Sequence, residues 1–136
     1  MKKSTTKRQT KPVTIDSLKR KVQVHFNSFI RKRDKDLPCI SCGEMKEIKQ
    51  AGHFMAVKGG DGLRFDERNV NGECAACNAF SQSHLIFYYE NLKKKLGEGF
   101  DALMTDIYEE RKNHKKWSRE ELEGLLTKYK KLNKSL

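Results

Sequence analysis

Hydrophobic residues near the start of the chain recur at intervals of three and four positions. The series is Ile15, Leu18, Val22, Phe26, Phe29 and Ile30. This spacing puts one apolar stripe on a helix and leaves basic residues on the remaining surface. Thr14 and Asp16 are typical of a helix N-terminus, and Pro38 ends any helix. The pattern therefore predicts a basic amphipathic helix over residues 14–35.

The next part of the chain has the pattern of a hairpin followed by a helix. Lys49–Val57 and Leu63–Val70 predict two short strands, and the glycine-containing segment 58–62 predicts the loop between them. Helical spacing then resumes to about residue 95 through Phe80, His84, Leu85, Tyr88, Tyr89 and Leu92. The predicted order over residues 38–95 is strand, strand, helix.

The C-terminal part, residues 99–136, predicts two more helices. Gly97 and Gly99 interrupt the preceding helix, after which apolar residues recur from Phe100 to Tyr108. Ser118 and Glu121 have the spacing of a capping box, which predicts the start of a last helix. The expected fold class is α+β, with a ββα core among several helices.

Residues 1–13 differ in composition from the rest, because they contain Lys, Thr and Gln without apolar periodicity. They predict a disordered basic arm, and residues 14–136 predict a single domain. No apolar run reaches the about eighteen residues of a membrane span, and no signal core follows the basic start. We expect a soluble cytoplasmic protein with reduced thiols and no membrane partner.

Charge is distributed unevenly around a net value of +11. Residues 1–37 carry twelve basic and three acidic side chains, and residues 111–136 carry nine and three. The centre, residues 38–110, carries eight basic and twelve acidic side chains. Two cationic ends favour a polyanionic partner such as DNA, although Lys-rich ends can also serve solubility alone.

All four cysteines lie in that centre, as two CxxC pairs. The pairs are Cys39 with Cys42 and Cys74 with Cys77. Two such turns can supply four thiolates to one tetrahedral Zn²⁺, which would be coordinatively closed and therefore structural. Buried unpaired cysteines, two disulfides or a redox CxxC are the alternatives. The sequence favours structural zinc and places any catalysis elsewhere.

Three short motifs surround the cysteines: GHF at residues 52–54, RFDERNV at residues 64–70 and CxxCN at residues 74–78. With the basic leading helix and the KWSREEL segment at residues 116–122, they resemble the phage NinG/Rap family of recombination endonucleases. The module around the cysteines is similar to the HNH/ββα-metal nucleases, including phage T4 endonuclease VII, a Holliday-junction resolvase. The resemblance implies metal-dependent hydrolysis of branched DNA by a protein that usually works as a homodimer, with phage or host recombination proteins as further partners.

Each motif then has a candidate role. His53 is the candidate general base, since neutral imidazole can accept a proton at physiological pH. Asn78 could offer its amide oxygen to Mg²⁺ or Mn²⁺, which are hard ions that take oxygen ligands. Asn69 would fasten the hairpin by backbone hydrogen bonds, as the middle Asn of HNH modules does. On their own, the two asparagines would be read as turn and cap residues.

One position departs from the wider pattern. HNH and endonuclease VII modules commonly have an acidic or His metal ligand directly before the catalytic His, and here that residue is Gly52. Asp66, or with less reason Asp61 or Glu67, is the expected substitute across the hairpin. His84 is open between packing and metal ligation. The expected DNA contacts are Lys19, Arg20, Arg31, Arg33, Arg64 and Arg68.

The leading function is thus a structure-specific DNA endonuclease acting on recombination intermediates such as Holliday junctions and D-loops. A zinc-dependent nucleic-acid-binding protein without catalysis is the main alternative, and Gly52 favours it. An HNH endonuclease that cuts ordinary duplex DNA differs only in substrate. The order of His53, Asn69 and Asn78 favours an enzyme.

Overall fold

The computed structural model describes residues 12–47, 49–80 and 84–136. Almost all of the predicted N-terminal arm, residues 1–11, lies outside the described residues. In the described part, no helix is both long enough and apolar enough to cross a membrane. The elements in chain order are α1 (Ile15–Arg33), β1 (Lys49–His53), β2 (Val70–Cys74), α2 (Ala75–Phe80), α3 (His84–Leu96), α4 (Gly99–Lys112) and α5 (Arg119–Ser135).

The helix predictions at both ends are confirmed. The side chain of Thr14 accepts a hydrogen bond from the Ser17 N–H, so Thr14 is the N-cap of α1. At α5, Ser118 and Glu121 form both hydrogen bonds of the capping box. These signals involve residues three apart in the chain, which is why the sequence alone could locate them.

The two strands form an antiparallel ribbon with packed helices on both faces. Ala51 and Val70 belong to a core cluster with α1 and α5, in which Phe26 contacts Tyr129 with ring centroids 5.0 Å apart. On the other face, Phe54 packs against Tyr88 in a cluster built mainly by α3 and α4. The ribbon is therefore the middle layer, and the class is α+β with a two-stranded sheet.

The predicted strand boundaries are wrong in two places. β1 ends at His53 instead of Val57, and β2 spans Val70–Cys74 instead of Leu63–Val70. The intervening residues form two single-turn 3-10 helices, Val57–Gly59 and Asp61–Leu63, and then a turn. In that turn the Asp66 carboxylate accepts a hydrogen bond from the Arg68 N–H, which stabilises a turn in place of extended backbone.

The correction changes which residues face each other across the ribbon. Lys49 pairs with Cys74, and His53 pairs with Val70. The helix expected over residues 80–95 is described as α2, ending at Phe80, and α3, beginning at His84, with residues 81–83 outside the described part. β2 therefore ends at Cys74, and α2 begins at the next residue.

Candidate metal centre and active site

The four cysteines come together at one end of the ribbon. Cys39 and Cys42 lie in the turn after α1, Cys74 ends β2, and Cys77 lies in α2. Gly43 closes the first turn with a φ of 75°, a conformation that favours glycine, and its N–H donates to the Cys39 carbonyl at 2.9 Å. The four sulfur atoms lie within 4.8 Å of one another. The predicted convergence of the two CxxC pairs is confirmed.

This cluster fits a tetrahedral thiolate site. Zn–S bonds of about 2.3 Å put the sulfurs of such a site roughly 3.8 Å apart, and the Sγ atoms of Cys42 and Cys74 are 4.0 Å apart. The Cys74 N–H points at Cys39 Sγ at 3.2 Å, a contact that stabilises a thiolate. Burial raises the pKa of the Cys77 thiol, and the neighbouring sulfurs raise it further. A bound dication would remove that cost, so the cysteines are positioned for a metal ion and are compatible with structural zinc.

His53, the last residue of β1, is held by the loop that follows. Its Nε2 lies 3.0 Å from the Arg64 carbonyl oxygen. Because a carbonyl oxygen only accepts, Nε2 carries the proton and Nδ1 keeps its lone pair. Burial lowers the pKa of His53 and the charge of Arg64 adds to this, while the hydrogen bond to the carbonyl opposes them. The lowered pKa favours the neutral imidazole.

Asn69 is fully buried and closes the loop between the strands. Its side-chain oxygen accepts from the Met55 N–H at 2.8 Å, and its amide donates to the carbonyls of Met55 and Leu63 at 3.1 and 3.2 Å. These are the backbone hydrogen bonds that the sequence analysis predicted for this residue. Asn69 is thus a positioning residue, because it holds the loop whose Arg64 carbonyl binds His53.

Asn78 lies on the opposite face of the ribbon from His53. Its amide donates to the Gln50 side chain at 2.7 Å, whereas Ala51 packs towards α1. Side chains alternate along a strand, so His53 shares the α1 face with Ala51 and Gln50 faces the other way. No contact joins His53 to Asn78 among the described residues. The order of His53 and Asn78 in the sequence therefore does not bring their side chains onto one face of the ribbon.

The carboxylate nearest to Gly52 is that of Glu73, a residue that no sequence motif singled out. A β-carbon at position 52 would collide with Glu73 Oε1 and would lie 2.9 Å from Glu73 Cβ. The Glu73 carboxylate therefore occupies the space that a side chain at position 52 would need. In the register of the ribbon Glu73 pairs with Gln50, two residues before Gly52, and its side chain reaches diagonally to Gly52 on the same face.

The three carboxylates that were expected to fill this role have other partners. Both oxygens of Asp66 accept from Arg68, at 3.0 and 2.6 Å. Asp61 accepts from Lys19 and Arg64, and Glu67 accepts from the Tyr129 hydroxyl at 3.1 Å. The structure thus gives no support to Asp66 as a ligand beside Asn78.

The predicted DNA contacts divide into three groups. Arg33 donates to the carbonyls of Glu67 and Val70 at 2.9 Å, so its guanidinium ties α1 to the ribbon. Lys19, Arg64 and Arg68 are each paired with an aspartate. Arg20 and Arg31 are exposed on α1 and have no ion pair within the described part of the chain. Residues eleven apart share a helix face, so these two form one exposed basic stripe about 16 Å long.

His84 begins α3 beside the cysteine cluster. Its Nδ1 lies 2.7 Å from Glu73 Oε2, and its side chain is mostly buried. Together with Ser41, Cys42, Cys77 and Phe87, it lines a cavity of about 310 Å³. His84 is therefore part of a polar cluster and not only a packing residue.

Fold and site together define a helix-rich α+β protein that has a two-stranded ribbon and a four-cysteine metal site. The family model described as "Bacteriophage Lambda NinG protein" matches residues 1–136. The chain belongs to the NinG family. No solved structure matches it.

Individual phage proteins give the same result. The chain is 36% identical to "Protein ninG" of Escherichia phage 933W over 118 residues, which cover 86% of this chain and 57% of that protein. It is 36% identical to "Protein ninG" of Salmonella phage P22 over 118 residues, covering 86% of this chain and 56% of the relative. For "Protein ninG" of Escherichia phage lambda the identity is 34%, with the same coverage. The chain thus spans a little more than half the length of these relatives.

Proposed function

We propose that this protein is a metal-dependent DNA endonuclease of the HNH type that cleaves branched recombination intermediates, Holliday junctions and D-loops among them. The observation that carries the proposal is the state of His53. One ring nitrogen is bound to the Arg64 carbonyl, the other has no hydrogen-bond partner among the described residues, and the pKa is lowered. A neutral imidazole fixed at the end of β1, next to a ribbon and helix stapled by cysteines, is suited to activate water.

In the proposed mechanism, His53 Nδ1 accepts a proton from the attacking water. The Arg64 carbonyl and Asn69 keep the ring in position during this step. The scissile phosphate lies along the free edge of β1, which groups on both ribbon faces can approach. Mg²⁺ or Mn²⁺, when bound on the Asn78 side, would stabilise charge on the phosphate and on the leaving 3′ oxygen. Structural Zn²⁺, held by the four cysteines, would fasten the turn after α1 to the end of β2 and to α2.

Two surfaces support the expected partners. The basic stripe of Arg20 and Arg31 offers two cations to DNA phosphates. Ile86 and Phe87, on α3, are 66% and 55% exposed, and this apolar face is available for the homodimer that a two-fold symmetric junction would require. Sedimentation with and without junction DNA tests the dimer.

The decisive experiment uses zinc-loaded full-length protein and labelled Holliday junctions, D-loops and linear duplexes of the same sequence. We expect Mg²⁺-dependent cleavage of the branched substrates, none in EDTA, and little cutting of the linear duplex. Equal cutting of all three would show an endonuclease for ordinary duplex DNA. Tight binding without cleavage in Mg²⁺ or Mn²⁺ would refute the enzyme and leave a zinc-dependent binding protein, the candidate that Gly52 favours.

A further inference from the structure

Glu73 is an unusual residue for the interior of a small protein. Its side chain is 0% exposed, and its Oε1 has no hydrogen-bond partner among the described residues. Its Oε2 accepts from the Ser41 hydroxyl and from His84 Nδ1. Burying a carboxylate costs free energy unless its oxygens are paired, so one oxygen of this group lacks the partner that burial demands.

Among the residues that the structure describes, no basic side chain pairs with that oxygen. Lys and Arg near the ribbon are engaged elsewhere: Lys95 bonds Asn71 at 2.7 Å, and Arg33 bonds Asp34. What the site does contain is an imidazole with its Nδ1 directed at the same carboxylate and a cavity of about 310 Å³ that His84 lines. Two residues that line this cavity, Ser41 and His84, contact Glu73 Oε2.

We propose that Glu73 and His84 form a binding site for one divalent cation, Mg²⁺ or Mn²⁺, next to the four-cysteine cluster and distinct from it. The cation would take the place of the hydrogen bond between Nδ1 and Oε2. Adjacent ligands of an octahedral Mg²⁺ lie about 3 Å apart, and these two atoms are 2.7 Å apart, so a shift of a few tenths of an ångström suffices. Water and a substrate phosphate would fill the other positions, as is usual for Mg²⁺.

The position explains Gly52. Glu73 reaches from β2 into the space that a side chain at position 52 would need, so glycine at that position leaves room for the carboxylate. Gln50, the register partner of Glu73, holds Asn78 on the same face. The role of this cation in hydrolysis rests on the proposed function, but its binding does not.

The test measures Mn²⁺ binding to zinc-loaded full-length protein by the loss of the free Mn²⁺ signal in electron paramagnetic resonance. Wild type is compared with the site variants Glu73→Gln and His84→Gln. The control is Glu90→Gln, which removes an exposed carboxylate from α3, the helix that contains His84. We expect one Mn²⁺ per chain in wild type and control, and affinity reduced about tenfold or more in both site variants. Zinc content and thermal unfolding establish that each variant is folded. If Glu73→Gln loses zinc, His84→Gln decides by the same criterion.

A double variant adds a gain-of-function arm. Glu73→Gly makes room for a β-carbon at position 52, and Gly52→Asp then returns a carboxylate from the first strand. We expect the double variant to recover most of the Mn²⁺ affinity that Glu73→Gly alone loses. Unchanged affinity in the single site variants, or absent Mn²⁺ binding in wild type, overturns the proposal.

The two proposals fail separately. Normal Mg²⁺-dependent cleavage by Glu73→Gln, together with unchanged Mn²⁺ affinity, would refute this cation site and leave the endonuclease intact. Mn²⁺ bound at Glu73 and His84, with no cleavage of any DNA, would support the site and refute the endonuclease.

Discussion

Replacing His53 by alanine separates catalysis from folding in this protein. The change removes the free Nδ1 that is proposed to accept the proton of water, and it removes one hydrogen bond, that of Nε2 to the Arg64 carbonyl. It leaves the four cysteines and the Asn69 bonds in place. The effect on cleavage should therefore be much larger than the effect on stability.

The magnitudes follow from those contacts. One hydrogen bond of a half-buried side chain contributes about 1 kcal/mol, against a total stability of roughly 5–15 kcal/mol, so the variant stays folded. Loss of a general base typically lowers the rate about 10²- to 10⁴-fold, equivalent to about 3–5 kcal/mol in the barrier. His53→Gln is the matched variant, since its amide can donate to the Arg64 carbonyl but cannot act as a base.

The assay is single-turnover cleavage of a labelled Holliday junction with protein in excess, together with DNA affinity and thermal unfolding. We expect both variants to bind DNA like wild type and to cut at most at 1% of its rate. Because burial lowers the pKa of His53 below the ordinary 6.5, the wild-type rate should rise with pH with a midpoint below 6.5 and then level off. Retained cleavage, lost DNA affinity or a midpoint above 6.5 would contradict the role.

Three other changes test the remaining parts of the structure. Cys74→Ser should lower the zinc content from one per chain towards zero and unfold the protein at ordinary temperature, and an unchanged melting temperature would exclude a structural metal. Asn69→Ala should lower the free energy of unfolding in urea by about 3 kcal/mol or more, since it strands buried backbone groups; a loss below 1 kcal/mol would show that the loop does not depend on it. Arg20→Ala with Arg31→Ala should weaken DNA binding and reduce the slope of log affinity against log salt by about 0.9 per lost phosphate contact, while the melting temperature stays unchanged.

The helices were predictable because their signals are local. The apolar stripe from Ile15 to Ile30, the Thr14 cap and the capping box at Ser118 each depend on residues three or four apart. The convergence of the two CxxC pairs was predictable for a similar reason, since each pair forms its own turn and four thiols of one spacing suit one ion.

The second strand was not predictable from the same kind of pattern. Leu63 and Phe65 are both apolar and lie two positions apart in the chain, a spacing typical of a strand with one buried face. In the structure, however, Leu63 packs into the core cluster of α3 and α4, and Phe65 packs into the core cluster of α1 and α5. Because a helix layer packs on each side of the ribbon, a turn can bury apolar residues at alternate positions without being an extended strand.

By itself the sequence determined the helices and the cysteine cluster, because short-range spacing and chemistry suffice for these; the loop-closing role of Asn69 was expected only from the resemblance. Only the tertiary structure decided which charges pair and which carboxylate faces Gly52. The register of β2 puts Glu73 beside that glycine, and the packing of α1 against the ribbon turns Arg33 inward. Such pairings join residues that are far apart in the chain, and they depend on how the layers meet, which no local pattern encodes.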